Sequence, residues 1–312
     1  MKKKLLFILK VAISVLLLGM LVRQMDAQKL RATISSTNWG WLLLAYVAMW
    51  GTFFAHTFRW QWLLRAEGTR VAYGSLLGCY TMGYFFGHFL PTSVGGDTVR
   101  ALAVSKHGIG KTKSFTVVLL GRLIGVTALL LLLMLCLLLP NQFVEKLSLS
   151  LNMLWALSAG SLVCLLIGFW FLSSDTLVRW FPNPNKFSTI KKILETLGIY
   201  RKRPAVLLSA LIISLVHQCI VFSRYYCVAR ALNLGLAFST VAVISILVTA
   251  VTMLPITING MGLRESGFVY LMGLVAIPFE RALMFSLLNF AIMLLMAAAG
   301  ALVYIAGNMQ RN

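Results

Sequence analysis

Long apolar runs constrain this chain more than any other feature. Leu5–Val22, Trp41–His56, Val126–Leu139, Leu154–Leu172, Ala205–Val221, Val241–Met253 and Ala282–Ala306 are too apolar to face water. Most of them approach the ~20 residues that cross a hydrocarbon core. Six read as full crossings. Hydrophobic residues make up 60% of the 312 positions, and the mean hydropathy is +0.88, above the roughly 45–50% apolar content of a soluble domain. The expected fold is therefore an all-α polytopic membrane protein. Met1-Lys2-Lys3-Lys4 precedes the first run, but no small-residue cleavage site follows at Arg23-Gln24-Met25-Asp26, so a retained first helix with its N-terminus inside is expected.

Charge decides how the runs thread the bilayer. The chain has 28 Lys and Arg against 8 Asp and Glu. In a soluble protein this would suggest nucleic acid; here it fits basic cytoplasmic loops and anionic lipid, and no nucleic-acid partner is expected. If Val71–Leu90 crossed once, Arg100, Lys106, Lys111, Lys113 and the basic stretch from Arg179 to Arg203 would all lie outside, against the positive-inside rule. A segment that enters at Val71, breaks at Pro91 and returns keeps them inside, together with Arg59, Arg65 and Arg70. Gly74, Gly78, Gly83, Gly87, Gly95 and Gly96 in and after it suit backbone packed against protein. Phe187, Ile190, Ile193, Leu194, Leu197 and Tyr200 then recur at helical spacing, which predicts an amphipathic helix on the cytoplasmic surface.

The broken segment recurs. Leu90-Pro91-Thr92-Ser93-Val94-Gly95-Gly96-Asp97-Thr98-Val99-Arg100 and Leu254-Pro255-Ile256-Thr257-Ile258-Asn259-Gly260-Met261-Gly262-Leu263-Arg264 share the pattern L-P-x-[ST]-[VI]-x-G-x-x-x-R. Arg59 lies 32 residues before Pro91, at the end of a hydrophobic helix, and Arg224 lies 31 before Pro255. Each copy follows the order helix, helix, broken segment, helix. Residues 1–150 form the first unit, with its re-entrant segment at 71–97. Residues 151–312 form the second, with a cytoplasmic linker at 174–204 and a re-entrant segment at 238–280. Three full crossings per unit invert the second relative to the first, the inverted-topology arrangement of many secondary transporters. Both termini and the segment 175–203 are expected inside, and 141–152 and 232–236 outside.

The repeat also supplies the candidate site. Asp97, Arg100, Arg264 and Glu265 are ionisable groups inside the broken segments, where an intramembrane charge costs at least about 2.5–3.5 kcal/mol and so faces a cavity or a partner. Arg122, inside the run Phe115–Leu139, could face the same cavity. Pro91 and Pro255 stop a helix, while Gly95, Gly96, Gly260 and Gly262 let a ligand approach freed backbone amides. With Ser93, Thr257 and Asn259, and with Arg59 and Arg224 as accessory groups, this set suits an anionic group such as phosphate. His56, His88, His107 and His217 lack metal-ligand spacing, and the five cysteines lack CxxC spacing, so no metal site is expected. Trp39, Trp41, Trp60, Trp62 and Trp180 sit at run ends and read as interfacial belts. Neither a phosphate-binding glycine loop nor a serine elbow occurs, which leaves ATP-driven pumping and serine hydrolysis unsupported.

The Arg59-Trp60 pair, the Leu90–Arg100 motif and Leu254-Pro255-x-Thr257-x-x-Gly260-x-Gly262-x-Arg264-Glu265 together resemble the flippase-like membrane family typified by the transmembrane domain of lysylphosphatidylglycerol synthase. The resemblance spans nearly the whole chain. It implies movement of an anionic or modified phospholipid, or a lipid-linked glycan, between leaflets of a bacterial inner membrane. It also implies no cofactor, membrane lipids as partners, and a lipid-modifying enzyme or glycosyltransferase nearby. Gly121 stands where many relatives carry an acid before the arginine that here is Arg122. The aminoacyl-transfer domain of the fused synthases is not in this sequence, so synthesis of lysylphosphatidylglycerol is not expected. A membrane-embedded transferase and an ion-coupled small-solute transporter are the alternatives.

Overall fold

In the computed structural model the described residues are 12–17, 19–21, 23, 26–89, 95–139, 141–146, 151–172, 184–253, 256–257 and 260–309, and their regular structure is entirely helical. Residues 12–17 and 19–21 belong to a first apolar helix. After it come α1 (Ala27–Ser35), α2 (Trp39–Ala66), α3 (Tyr73–Phe89), α4 (Gly95–Ser105), α5 (Lys111–Leu138) and α6 (Gln142–Lys146). The second half holds α7 (Leu151–Leu172), α8 (Pro184–Arg201), α9 (Pro204–Ala231), α10 (Phe238–Thr252), α11 (Leu263–Leu274) and α12 (Phe279–Met309). Among the described residues, four helices, α2, α5, α9 and α12, are long and apolar enough to cross a membrane. Ala12–Leu21, Trp155–Trp170 and Phe238–Thr252 are shorter apolar helices. The protein is a multi-pass membrane protein.

Local chemistry starts the helices. Asp26 Oδ1 accepts from the Gln28 and Lys29 N–H groups at the head of α1. Asn38 Oδ1 does the same for Gly40 and Trp41 at the head of α2, filling donors that a helix N-terminus leaves open. Pro204 stands in the first turn of α9, where its missing N–H costs nothing.

The antiparallel pair α2–α9 forms the centre. The Asn38 N–H bonds the Ala231 carbonyl at 2.9 Å at one end, and the Arg203 guanidinium bonds the Ala66 carbonyl at the other. Between them, Gly51 lets the helices close until a methyl there would lie 3.2 Å from Ile220 Cγ2. Small residues bring helix backbones together this way where no hydrophobic effect drives association.

Contacts at the two ends place the remaining elements. At the Ala66–Arg203 end, Gln61 Nε2 donates to the Val71 carbonyl at 3.0 Å, Lys113 pairs with Glu67 at 2.8 Å, and the Tyr200 hydroxyl donates to the Leu63 carbonyl at 2.8 Å. The end of α2 and the starts of α3, α5 and α9 therefore share this end. At the Asn38–Ala231 end, the Gln142 N–H donates to Thr240 Oγ1 at 3.2 Å and Lys29 pairs with Glu280 at 3.5 Å, gathering α1, the end of α5 and the starts of α10 and α12.

It follows that α3–α4 and α10–α11 are antiparallel hairpins whose mouths lie at opposite ends. A methyl at Gly83 would fall 2.8 Å from the Gly96 carbonyl oxygen, and one at Gly87 3.3 Å from Gly96 Cα, so glycine is what permits the first hairpin. In the second, Gly267 faces Val248 and Gly260 faces Thr252. Gly260 and Gly262 have φ of 75° and 81°, left-handed values that disfavour a side chain.

Three sequence expectations change. Arg59 does not end its helix: α2 continues to Ala66 and buries Arg59 to 4% exposure, because Trp60, Leu63 and Leu64 extend the apolar face past it. Trp60 is likewise buried among α2, α3, α4 and α5 and is no interfacial belt, whereas Trp39 is exposed. Trp180 lies outside the described residues. The amphipathic helix exists as α8, but Leu194 is buried and Leu197 and Tyr200 pack into the protein, against α2, α5 and α9. Periodicity revealed an apolar face and could not reveal what covers it.

Candidate functional site

Guanidinium groups concentrate between the hairpins and the central pair. Arg59, Arg100, Arg224 and Arg264 are all buried, although they come from four different elements.

In the first hairpin, Asp97 sits in the opening turn of α4, where the helix dipole favours a carboxylate. Its Oδ1 pairs with Arg100 Nη2 at 3.1 Å and its Oδ2 with Arg122 Nη1 at 3.2 Å. Arg122 therefore does reach the first broken segment, from α5. Arg100 also lies 5.8 Å from the Trp60 ring centroid and 5.7 Å from that of Tyr80, cation–π distances. His56 Nε2 stands 3.3 Å from Arg100 Nη1 and 3.0 Å from Arg59 Nη2. Arg59 Nη1 donates to Ser214 Oγ at 2.8 Å across the α2–α9 seam. Gly121 and Gly125 leave the room on α5 that the Arg59 guanidinium fills.

The second hairpin is wired differently. Glu265, 2% exposed, accepts the Gly262 N–H at 2.7 Å and pairs with Arg264 at 2.7 Å. Its carboxylate thus closes the head of α11 and neutralises its neighbour. Arg264 stacks 4.7 Å from the Phe290 centroid and points Nη1 at Met293 Sδ, 3.5 Å away. Arg224 donates to Asn289 Oδ1 at 2.7 Å and lies over the Tyr225 ring. Among the described residues, neither Arg59 nor Arg224 has a carboxylate partner.

A cavity of about 260 Å³ opens beside these groups, lined by Tyr80, Gly83, Tyr84, Gly87, His88, Gly96, Asp97, Arg100 and Met293. Met293 separates it from Arg264. A second cavity of about 270 Å³, lined by Leu123, Thr127, Leu166, Phe169, Leu208 and Leu211 among others, lies between α5, α7 and α9 and is almost wholly apolar.

Of the residues expected from sequence, Asp97, Arg100 and Gly96 line the polar cavity, and Arg122 reaches it through Asp97. Gly95 is buried at the start of α4. Thr257 is buried, with its hydroxyl unpartnered among the described residues. Gly260 packs on Thr252, and Gly262 packs on Ser14 and Leu17 of the first helix. The Gly262 N–H is already taken by Glu265. Pro91, Ser93, Pro255 and Asn259 lie outside the described residues. Sequence reading missed His56, Tyr80, Tyr84, His88, Ser214, Asn289 and Met293. A signal existed for His56, which stands three residues before Arg59 and so shares its helix face; Ser214 and Asn289 become relevant only through tertiary contact. Among the described residues no group of His, Cys, Asp and Glu could hold a metal ion.

Comparison with known proteins gives one family. Residues 7–300 match the family described as "Lysylphosphatidylglycerol synthase TM region". No curated protein matches the chain.

Proposed function

Because the chain belongs to the lysylphosphatidylglycerol synthase TM region family, a lipid-related family of membrane proteins, we propose that it moves an anionic lipid headgroup between leaflets. The supporting observation is the imbalance of interior charge. Arg59, Arg100, Arg122, Arg224 and Arg264 gather around the hairpins with Asp97 and Glu265 as their carboxylates. A bare positive excess inside a bilayer is costly, and an anion entering the polar cavity offsets it. Guanidiniums bind phosphate through paired donors.

Hairpins with mouths at opposite ends fit an inverted-topology repeat in which each broken segment re-enters from its own face and closes the cavity in turn. The basic end, carrying Arg65, Arg70, Lys111, Lys113, Lys202 and Arg203, is the cytoplasmic one by the positive-inside rule, and both termini belong there, in a bacterial inner membrane. The apolar cavity along α5 offers a place for acyl chains, which favours a lipid over a small solute. A lipid-modifying enzyme that supplies or consumes the lipid is the natural partner.

The test uses liposomes loaded with fluorescent phosphatidylglycerol or phosphatidylcholine, with the outer-leaflet label quenched over time. Protein-containing vesicles should expose phosphatidylglycerol faster than phosphatidylcholine, and Arg100→Ala or Arg264→Ala should reduce the rate by tenfold or more. Equal rates for the two lipids, or full activity in both variants, would overturn the proposal.

A further inference from the structure

His56 holds a position that the charge imbalance alone does not explain. Its Nε2 contacts Arg59 Nη2 and Arg100 Nη1, at 3.0 and 3.3 Å. Arginine has only donors and stays charged, so Nε2 must accept from both and carries no proton. The ring is neutral, with its proton on Nδ1, which is buried and has no partner among the described residues. A lone pair on His56 thus bridges the two guanidiniums.

Among the described residues, the groups facing His56 come from four neighbouring elements. Tyr80 of α3 stacks on the ring at 4.2 Å, and His217 of α9 meets it edge-on at 5.7 Å. Arg100 comes from α4, whose Asp97 is already shared with Arg122 of α5. Gly121, Val117 and Val118 of α5 close the remaining side. Arg59 Nε and Arg100 Nε are buried and likewise have no partner among the described residues. The space between them is about 10 Å³, room for one water-sized atom. It shares Arg100 with the 260 Å³ cavity, so one oxygen of an anion held in the larger cavity can reach in.

We propose that the His56–Arg59–Arg100 pocket is a proton-coupled anion site, which takes up one phosphodiester oxyanion together with one proton. This rests on the transport reading and adds its energy source. The oxyanion replaces the Nε2 lone pair as acceptor for Arg59 and Arg100; freed, Nε2 binds a proton from the bulk solution and, keeping it, hydrogen-bonds to the same anion. One negative and one positive charge enter together, so the buried net charge is unchanged, and a proton gradient can drive a monoanionic headgroup uphill. On release the proton leaves with the anion, and Nε2 again accepts from the two arginines.

The experiment titrates full-length protein in detergent with dimethyl phosphate, whose charge is constant between about pH 5 and 8, the range in which histidine changes charge. Heats are measured in buffers of different ionisation enthalpy, which count protons. Wild type should take up about one proton per anion, with affinity falling up to tenfold per pH unit as the pH rises. His56→Gln keeps an acceptor for the arginines and should bind with a proton count near zero. His217→Gln should behave as wild type. No dimethyl phosphate binding, a wild-type count of zero, or an unchanged count in His56→Gln would each overturn the proposal. The wild-type count decides even if the variant fails to accumulate. Lipid movement in vesicles with a wild-type count of zero would leave the transport reading standing and remove the coupling alone. A short-chain phosphatidylglycerol binding more tightly than dimethyl phosphate assigns the anion to a lipid headgroup, and equal binding assigns it to a free phosphodiester; the proton count decides the coupling in both cases.

Discussion

Arg59 and Glu265 are both almost fully buried, yet their surroundings dictate opposite responses to replacement. Glu265 accepts from Gly262 and Arg264, so Glu265→Gln strands the Arg264 charge. Breaking a buried pair by removing one partner costs about 3–5 kcal/mol. Among the described residues, Arg59 has only Ser214 and His56 as polar partners, and Arg59→Leu removes an uncompensated charge from the interior. The expected outcome is a clearly lowered unfolding temperature in detergent for Glu265→Gln and an unchanged or raised one for Arg59→Leu, read by size-exclusion after stepwise heating. Equal losses would show that Arg59 is a structural pin. The sequence marked both residues, but which of them is neutralised depended on which side chains approached from other helices.

Hairpin α3–α4 shows how an element can depend on missing atoms. A methyl at Gly96 would fall 2.6 Å from the Gly83 carbonyl oxygen and 3.0 Å from Gly87 Cα, and neither backbone can retreat without opening the hairpin. Gly96→Ala should therefore lower stability by about 1–3 kcal/mol, as overpacking at a tight site does. Gly160 of α7 has nothing near its would-be methyl, and alanine there should be neutral or stabilising by about 0.5–1 kcal/mol through helix propensity. Thermal melts of the two variants check the pair, and a Gly96→Ala protein as stable as Gly160→Ala would deny the close contact. The glycine spacing was legible as a segment unfit for plain crossing. That Gly83 and Gly87 both receive Gly96 was not, because spacing along one helix says nothing about its partner.

At the scale of the whole molecule, the two ends make the strongest claim. Lys113 pairs with Glu67 at one end, while the exposed Glu145 follows α5 at the other. In a background without native cysteines, Lys113→Cys should react with a membrane-impermeant maleimide only in inside-out vesicles, and Glu145→Cys only in intact cells. Labelling of both from one side would break the opposed-hairpin arrangement and the alternating closure built on it.

The amino-acid sequence by itself determined that the chain lives in a membrane, since runs this apolar have no other stable solvent, and that two L-P-x-[ST]-[VI]-x-G-x-x-x-R segments interrupt its helices. Charge counting located the basic end, because loop charges act on topology one segment at a time. Only the tertiary structure decided that Arg59 is interior, that α8 packs on protein, that Asp97 serves two arginines while Glu265 caps its own helix, and that His56 bridges Arg59 and Arg100. The physical reason is common to all four. Hydropathy and periodicity are properties of one segment against its solvent, whereas the partner of a buried polar group is whatever another segment brings within about 3 Å.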